Sequence, residues 1–315
     1  MSAFSLIPAH GPLPPEPSLA AVAYWYNPPI ISLLVLAGLA LWFVAVRRVR
    51  QLHPQNPVPR SRSVAILGAA AFSLIALQSV IERYDTTLFS VHMVQHLILL
   101  FPVPILVLRA APVTLILRLA SPRWRARILS LLQSRPVGVI THPIVTWLLL
   151  VFVMWATHLS PLFDAALDDP FLHNLEHLLY LTGALLFWAP VFSRDPVRHR
   201  LSRPAALFYL ITQMPQNSFL GVAIMWAPSA LYPHYESLQR DWGPTPLEDQ
   251  QLAGAIMWLV GDALFLFAVF AVLATWMRAE ERPASRYDTE QLAHELAEIR
   301  RREAVLAERQ KGERA

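Results

Sequence analysis

The sequence predicts an all-α, polytopic membrane protein, a bundle of seven transmembrane helices. Of its 315 residues, 55% are hydrophobic and only 15% are charged, whereas soluble domains carry about 25% charged residues. Seven apolar stretches are each long enough to cross about 30 Å of hydrocarbon. They lie near residues 29–46, 64–82, 91–108, 137–157, 173–192, 205–227 and 251–277.

Arginine is distributed unevenly between the loops that join these stretches. Fifteen arginines lie in segments 47–63, 109–136 and 193–204, whereas the alternate segments hold only Arg83 and Arg240. Because basic loops stay in the cytoplasm, we expect the N-terminus outside, the C-terminus in the cytoplasm and an odd number of spans. Membrane topology therefore explains the basic charge, and we expect the lipid bilayer, and no nucleic acid, as its partner.

The predicted elements follow in order along the chain. Residues 1–28 lack the basic start of a secretory signal peptide and predict an outer-side tail. The seven helices form one transmembrane domain over residues 29–278. Residues 279–315 are strongly charged and predict a cytoplasmic helical tail.

Three helices contain residues that disturb a simple apolar span. Pro102 and Pro104 predict a kink or an early end of the third helix. Glu248 and Asp249 precede the seventh helix, where the helix dipole favours acidic side chains. The sixth helix carries amides that must find partners inside a membrane, and these predict interhelical hydrogen bonds: Gln213, Gln216 and Asn217.

Two histidine pairs carry the strongest functional signal. His92 and His96 begin the third stretch, and His173 and His177 begin the fifth. A spacing of four places both imidazoles of a pair on one helix face, one turn apart. The predicted topology puts both pairs at the outer ends of their helices, and His158 ends the fourth helix at the same side. Ionisable groups inside membrane spans are costly, so they predict a functional site.

The residue types in and near this site predict a metal ion. The chain has no cysteine, which excludes thiolate sites, iron–sulfur clusters and cysteine-attached haem. Imidazole suits copper, zinc, iron and nickel, so the residues alone leave the metal open. We assign Met93 and Met257 to packing, and the single histidines His10 and His234 to hydrogen-bonded helix ends. Four acidic residues would attract a cation: Asp164, Asp168, Asp169 and Glu176.

Several motifs recur together in one known family. They are His92-Met93-Val94-Gln95-His96 with Pro102-Val103-Pro104, His158 with Pro161, His173-Asn174-Leu175-Glu176-His177, and Asp249-Gln250-Gln251-Leu252-Ala253-Gly254. In this order they resemble the CtaG membrane proteins, assembly factors for caa3-type cytochrome c oxidase, over roughly residues 29–277. The resemblance implies a non-enzymatic protein of the bacterial plasma membrane that binds copper and delivers it to an oxidase subunit.

Three functions are compatible with the residues. The first is a copper chaperone that uses His92, His96, His173 and His177, with His158 as an auxiliary ligand. The second is a haem- or metal-dependent membrane oxidoreductase. The third is a copper or proton transporter, which would need polar residues that continue inward, and only the amides of the sixth helix do so. No nucleophile–base–acid arrangement is present, so we expect no catalytic residues.

Overall fold

A computed structural model describes residues 13–18 and 30–279. Both predicted tails lie largely outside these residues. Within them the regular structure is helical and contains no β-strand, as the sequence predicts. The chain divides between Leu266 and Phe267 into two compact units, and every site residue discussed below belongs to the first.

In the described ranges, fourteen α-helices precede one π-helical segment, and α-helix resumes after that segment over residues 261–279. They are α1 (Ile30–Leu52), α2 (Arg60–Gln78), α3 (Val80–Tyr84), α4 (Phe89–Leu100), α5 (Pro102–Ala110), α6 (Pro112–Leu119), α7 (Pro122–Leu132), α8 (Arg135–Ile140), α9 (Pro143–His158), α10 (Leu162–Asp168), α11 (Pro170–Phe192), α12 (Arg203–Met225), α13 (Pro233–Ser237), α14 (Pro246–Ala255) and the π segment (Ile256–Val260).

Helix is present at all seven predicted positions, but fewer than seven stretches meet the requirements of a membrane span. In the described part of the chain, five are long and apolar enough: Ile30–Leu52, Arg60–Tyr84, Phe89–Leu119, Pro170–Phe192 and Pro246–Ala279. A sixth is present if α9 and α10, bent by 67°, form one broken span. Helix α12 has sufficient length, with 23 residues, but its polar side chains lower its hydropathy. Seven crossings and the orientation of the termini stay predictions.

Prolines set many of the helix boundaries. Helices α5 to α9 all begin with proline in their first turn, where its missing N–H and fixed φ are tolerated. The predicted interruption of the third stretch is confirmed, since α4 ends before Phe101 and α5 begins at Pro102. A second break follows at Ala111, whose φ of 60° is left-handed. The span Phe89–Leu119 is therefore built from three consecutive helices.

The helices that carry the histidine pairs lie at the centre of the bundle. About 44% of the apolar window in Phe89–Leu119 is buried, and the same share in α11, compared with 11% in α1. Helix α4 packs against α2, α11 and α14, and α11 packs against α5, α9 and α10. Side chains that α4 and α11 direct at each other are therefore shielded by protein on several sides.

Helices α12 and α14 touch through their backbones. A Cβ atom on Gly221 would lie 2.9 Å from the Gly254 carbonyl oxygen. A Cβ atom on Gly254 would lie 2.6 Å from both the Gly221 carbonyl oxygen and the Met225 nitrogen. Only glycine fits at these two positions, which is how small residues permit close packing of membrane helices.

Candidate metal site

Four histidines meet where α4 packs against α11. The ring centroids of His92 and His173 lie 5.4 Å apart, and those of His96 and His177 lie 5.7 Å apart. None of the four side chains is more than 7% exposed. The two predicted pairs thus face each other and form one buried cluster.

His158 reaches the same cluster from the end of α9. Its ring centroid lies 6.3 Å from that of His96. The His158 Nδ1 atom lies 2.8 Å from the Met154 carbonyl oxygen, which can only accept, so Nδ1 carries the hydrogen. The lone pair is then on Nε2, which is buried and has no hydrogen-bond partner in the described chain. A metal ligand requires this unprotonated form of the nitrogen.

Tyr180 and Thr157 hold the other side of His158. The Tyr180 hydroxyl lies 3.0 Å from His158 Nδ1 and 2.6 Å from Thr157 Oγ1. Tyr180 also stacks on His96, with ring centroids 4.3 Å apart. The Thr157 hydroxyl takes part in this network.

Two buried carboxyl groups join the histidines. The Glu176 Oε2 atom lies 3.9 Å from His92 Nε2, and the Asp85 Oδ2 atom lies 3.7 Å from His173 Nε2. Neither Glu176 oxygen has a hydrogen-bond partner in the described residues. An unpaired charge in such a place is costly, so a cation between these groups would stabilise both.

The donor atoms sort into two groups of three. One group contains His92, His96 and Glu176, and the other contains Asp85, His173 and His177. Within each group the donor atoms lie within 4.8 Å of one another. The Nε2 atoms of His92 and His96 are 2.9 Å apart, and imidazole–metal bonds of about 2.0 Å place two ligand atoms roughly 3 Å apart. Either group could therefore close around one ion after small side-chain movements.

Asp85 lies between α3 and α4 and is fully buried. Burial raises the pKa of its carboxyl group, although a hydrogen bond from the Thr86 backbone N–H acts in the opposite direction. Burial therefore favours the uncharged form of this group. A nearby cation would favour the ionised form.

Gln95, which precedes His96 on α4, supports the cluster through its contact with His177. Its amide nitrogen donates to the Ala76 carbonyl at 2.9 Å and to Glu82 Oε2 at 2.7 Å. Its amide oxygen then faces His177 Nε2 at 3.1 Å. Partners behind a ligand fix the orientation of its ring, and Gln95 has this position relative to His177.

Three of the four acidic residues that the sequence places near the site act elsewhere. Asp169 caps α11 through the Phe171 backbone N–H at 2.7 Å. Asp164 and Asp168 both bind His234, through its backbone N–H and its ring respectively. Only Glu176 of the four reaches the histidine cluster. Asp164, Asp168 and Asp169 have hydrogen-bond partners outside the cluster, and their electrostatic attraction of a cation stays a prediction.

Asp249 fixes the start of α4. The sequence predicts that Glu248 and Asp249 both stabilise their own helix, and Glu248 does so in a capping box with Thr245. Asp249 instead accepts hydrogen bonds from the Phe89 N–H at 2.6 Å and the Ser90 hydroxyl at 2.5 Å. This contact ties α14 to the helix that carries His92 and His96.

A second polar cluster lies between α12 and the segment that follows α14. Asn217 donates to the Met257 carbonyl at 2.9 Å and to Asp262 Oδ1 at 3.1 Å, and Ser218 donates to Asp262 Oδ2. The predicted interhelical bonds are confirmed for Asn217. Gln213 is buried and has no hydrogen-bond partner in the described residues.

The sequence reasoning missed several of these residues. Asp262 had a clear signal, since it is the lone charged residue of the apolar stretch 251–277. Gln95 lies inside the first histidine motif and Tyr180 lies three residues after His177, so helical spacing indicated both. Asp85 had no comparable signal, because it lies on a connection between helices.

Apolar helices packed around buried imidazoles and carboxyl groups define a membrane protein with several spans and a candidate metal site. The chain belongs to the cytochrome c oxidase caa3 assembly factor family (Caa3_CtaG), which matches residues 40–279. The family membership that the motifs predict is thereby confirmed.

Mycobacterial proteins are also similar to this chain. It is 31% identical to the uncharacterized protein Mb0105 of Mycobacterium bovis over 288 residues, 88% of this chain and 43% of that protein. It is 29% identical to the uncharacterized protein ML1998 of Mycobacterium leprae over 259 residues, 80% of this chain and 38% of that protein. The chain thus spans less than half the length of these curated relatives. No solved structure matches it.

Proposed function

We propose that this protein binds copper in the buried cluster of five histidines and two carboxyl groups, and passes it to a cytochrome c oxidase subunit. The observation that carries the proposal is the convergence of His92, His96, His173 and His177, with His158, in one buried place. Membership of an oxidase assembly family supports copper over the other metals that imidazole accepts. In this role the protein is a carrier and not an enzyme.

The chemistry of the donors also supports a carrier. The two donor groups offer imidazole and carboxylate, without thiolate. Gln95 contacts His177, and Tyr180 contacts His96 and His158. These contacts hold the imidazole rings in place and leave the space between the donor atoms open. The arginine distribution supports a site at the outer side of the bacterial plasma membrane, where copper could be handed over without crossing the bilayer.

Copper binding by the purified protein tests the proposal. We expect the wild-type protein in detergent to take up copper, and the His96→Ala/His177→Ala variant to bind it at least ten-fold more weakly, since each donor group loses one ligand. Metal content after dialysis against a copper buffer measures this effect.

The matched control is the His142→Ala/His199→Ala variant. These two rings also contact each other, with centroids 5.2 Å apart, but they lie outside the cluster, so copper uptake should match that of the wild type. Equal uptake by both double variants, or no uptake by the wild type, would contradict the proposal. The absorption spectrum of the same samples tests the oxidoreductase alternative, because bound haem gives a Soret band.

A further inference from the structure

A small cavity adjoins the histidine cluster on the side of α9 and α12. Its lining includes three methionines, two of the cluster's histidines and one amide: Met93, Met154, Met257, His96, His158 and Asn217. The volume that the centre of a water molecule can occupy in this cavity is about 10 Å³. This is close to the volume that one water molecule or one ion needs.

The three methionines come from three separate parts of the chain. Met93 lies on α4, Met154 on α9 and Met257 in the π segment. They are 2%, 5% and 3% exposed, and among the described methionines they are the buried ones. Thioether sulfur is a soft ligand that selects copper(I), whereas imidazole accepts several metals.

Packing alone does not account for this arrangement. Methionine fills irregular gaps in protein cores because its side chain is flexible, yet here a gap stays open beside three of them. His158 also lines this cavity. Its Nε2 atom is buried and has no hydrogen-bond partner in the described chain. An unprotonated nitrogen and three methionine side chains around one small space provide the donor types of a soft-metal site.

Local backbone structure also positions Met257. Single π turns inside α-helices are rare and are found mainly at functional sites, and Met257 lies within one. Its carbonyl oxygen accepts a hydrogen bond from Asn217 at 2.9 Å. Asn217 can approach because residue 261 is glycine, where a Cβ atom would lie 2.7 Å from the amide nitrogen.

We propose that this cavity is a second metal site, specific for copper(I), formed by Met93, Met154 and Met257 with His158. Two of the residues that line this cavity, His96 and His158, also belong to the cluster of five histidines. This inference rests on the proposed function, because it takes copper as the metal that the protein carries. It adds that copper binds in this cavity as copper(I). Two neighbouring sites of different softness would let the protein hold copper(I) and copper(II) separately.

Anaerobic copper(I) titration against a chromogenic copper(I) chelator tests the inference. The Met93→Leu/Met154→Leu/Met257→Leu variant should bind copper(I) at least ten-fold more weakly than the wild type, since leucine keeps the volume and removes the sulfur. Its copper(II) uptake should be unchanged. The control variant Met214→Leu/Met225→Leu/Met277→Leu removes three methionines that do not line the cavity and should behave as the wild type.

The outcomes separate the two proposals. Unchanged copper(I) affinity in the cavity variant overturns the second site and leaves the proposed function intact. Failure of the wild type to bind copper in either oxidation state overturns both. X-ray absorption of wild-type protein loaded with copper(I) gives an answer independent of the variants: sulfur scattering at the copper supports the site, and nitrogen scattering alone overturns it.

Discussion

Replacing Gly254 with leucine is expected to lower the free energy of unfolding by about 3 kcal/mol, the upper end of the usual cost of overpacking. A Cβ atom there would lie 2.6 Å from the Gly221 oxygen and the Met225 nitrogen. Both are backbone atoms, so they cannot move aside as a flexible side chain can, and α12 and α14 must separate. Thermal unfolding of the purified variant in detergent measures the loss.

Gly38→Leu is the matched control for this variant. Gly38 lies in α1, and a Cβ atom there would meet nothing within 4 Å. Because leucine also favours helix over glycine by about 1 kcal/mol, this variant should unfold at or above the wild-type temperature. An equal loss at both positions would show that backbone contact between α12 and α14 is not the cause.

Replacing Asp249 with alanine is expected to cost about 1–3 kcal/mol, because it leaves a buried backbone N–H of α4 without its acceptor. The same change frees the first turn of α4, which begins three residues before His92. We therefore expect weaker copper binding together with the lower stability. Thermal unfolding and copper titration of the same sample measure both effects.

The neighbouring change Glu248→Gln provides the comparison. Glu248 is exposed and caps its own helix, and glutamine can keep that cap. Its stability should stay within about 0.5 kcal/mol of the wild type, as for most surface substitutions, and its copper affinity should not change. If Asp249→Ala changed the stability and the copper affinity as little as Glu248→Gln, the contact between α14 and α4 would not hold the site in place.

Helical spacing explains why the histidine pairs could be predicted from the sequence. A separation of four fixes that His92 and His96 share one face, and likewise His173 and His177. The rotation of one helix relative to another depends on many side chains that interlock where the helices pack. The sequence of either helix alone therefore does not predict that the histidine face of α4 meets the histidine face of α11. Only the structure shows this part of the site.

The remaining donors depend on tertiary structure to different degrees. Asp85 reaches His173 from a connection between helices, and no periodicity describes such a position. Met154 has no helical spacing relation to Met93 or Met257, so only the fold shows that all three line one cavity. Asp262 is different, since a single acidic residue in an apolar stretch is a recognisable signal and could have been identified from the sequence.

The backbone contact between Gly221 and Gly254 also limits the route that a metal ion can take. Where a carbonyl oxygen of one helix already lies against the backbone of the other, not even a dehydrated ion can pass between α12 and α14. On the proposed function, a metal ion must therefore enter and leave the cluster and the adjoining cavity through a different wall. A partner that receives the ion would have to dock at that wall, away from the seam between α12 and α14.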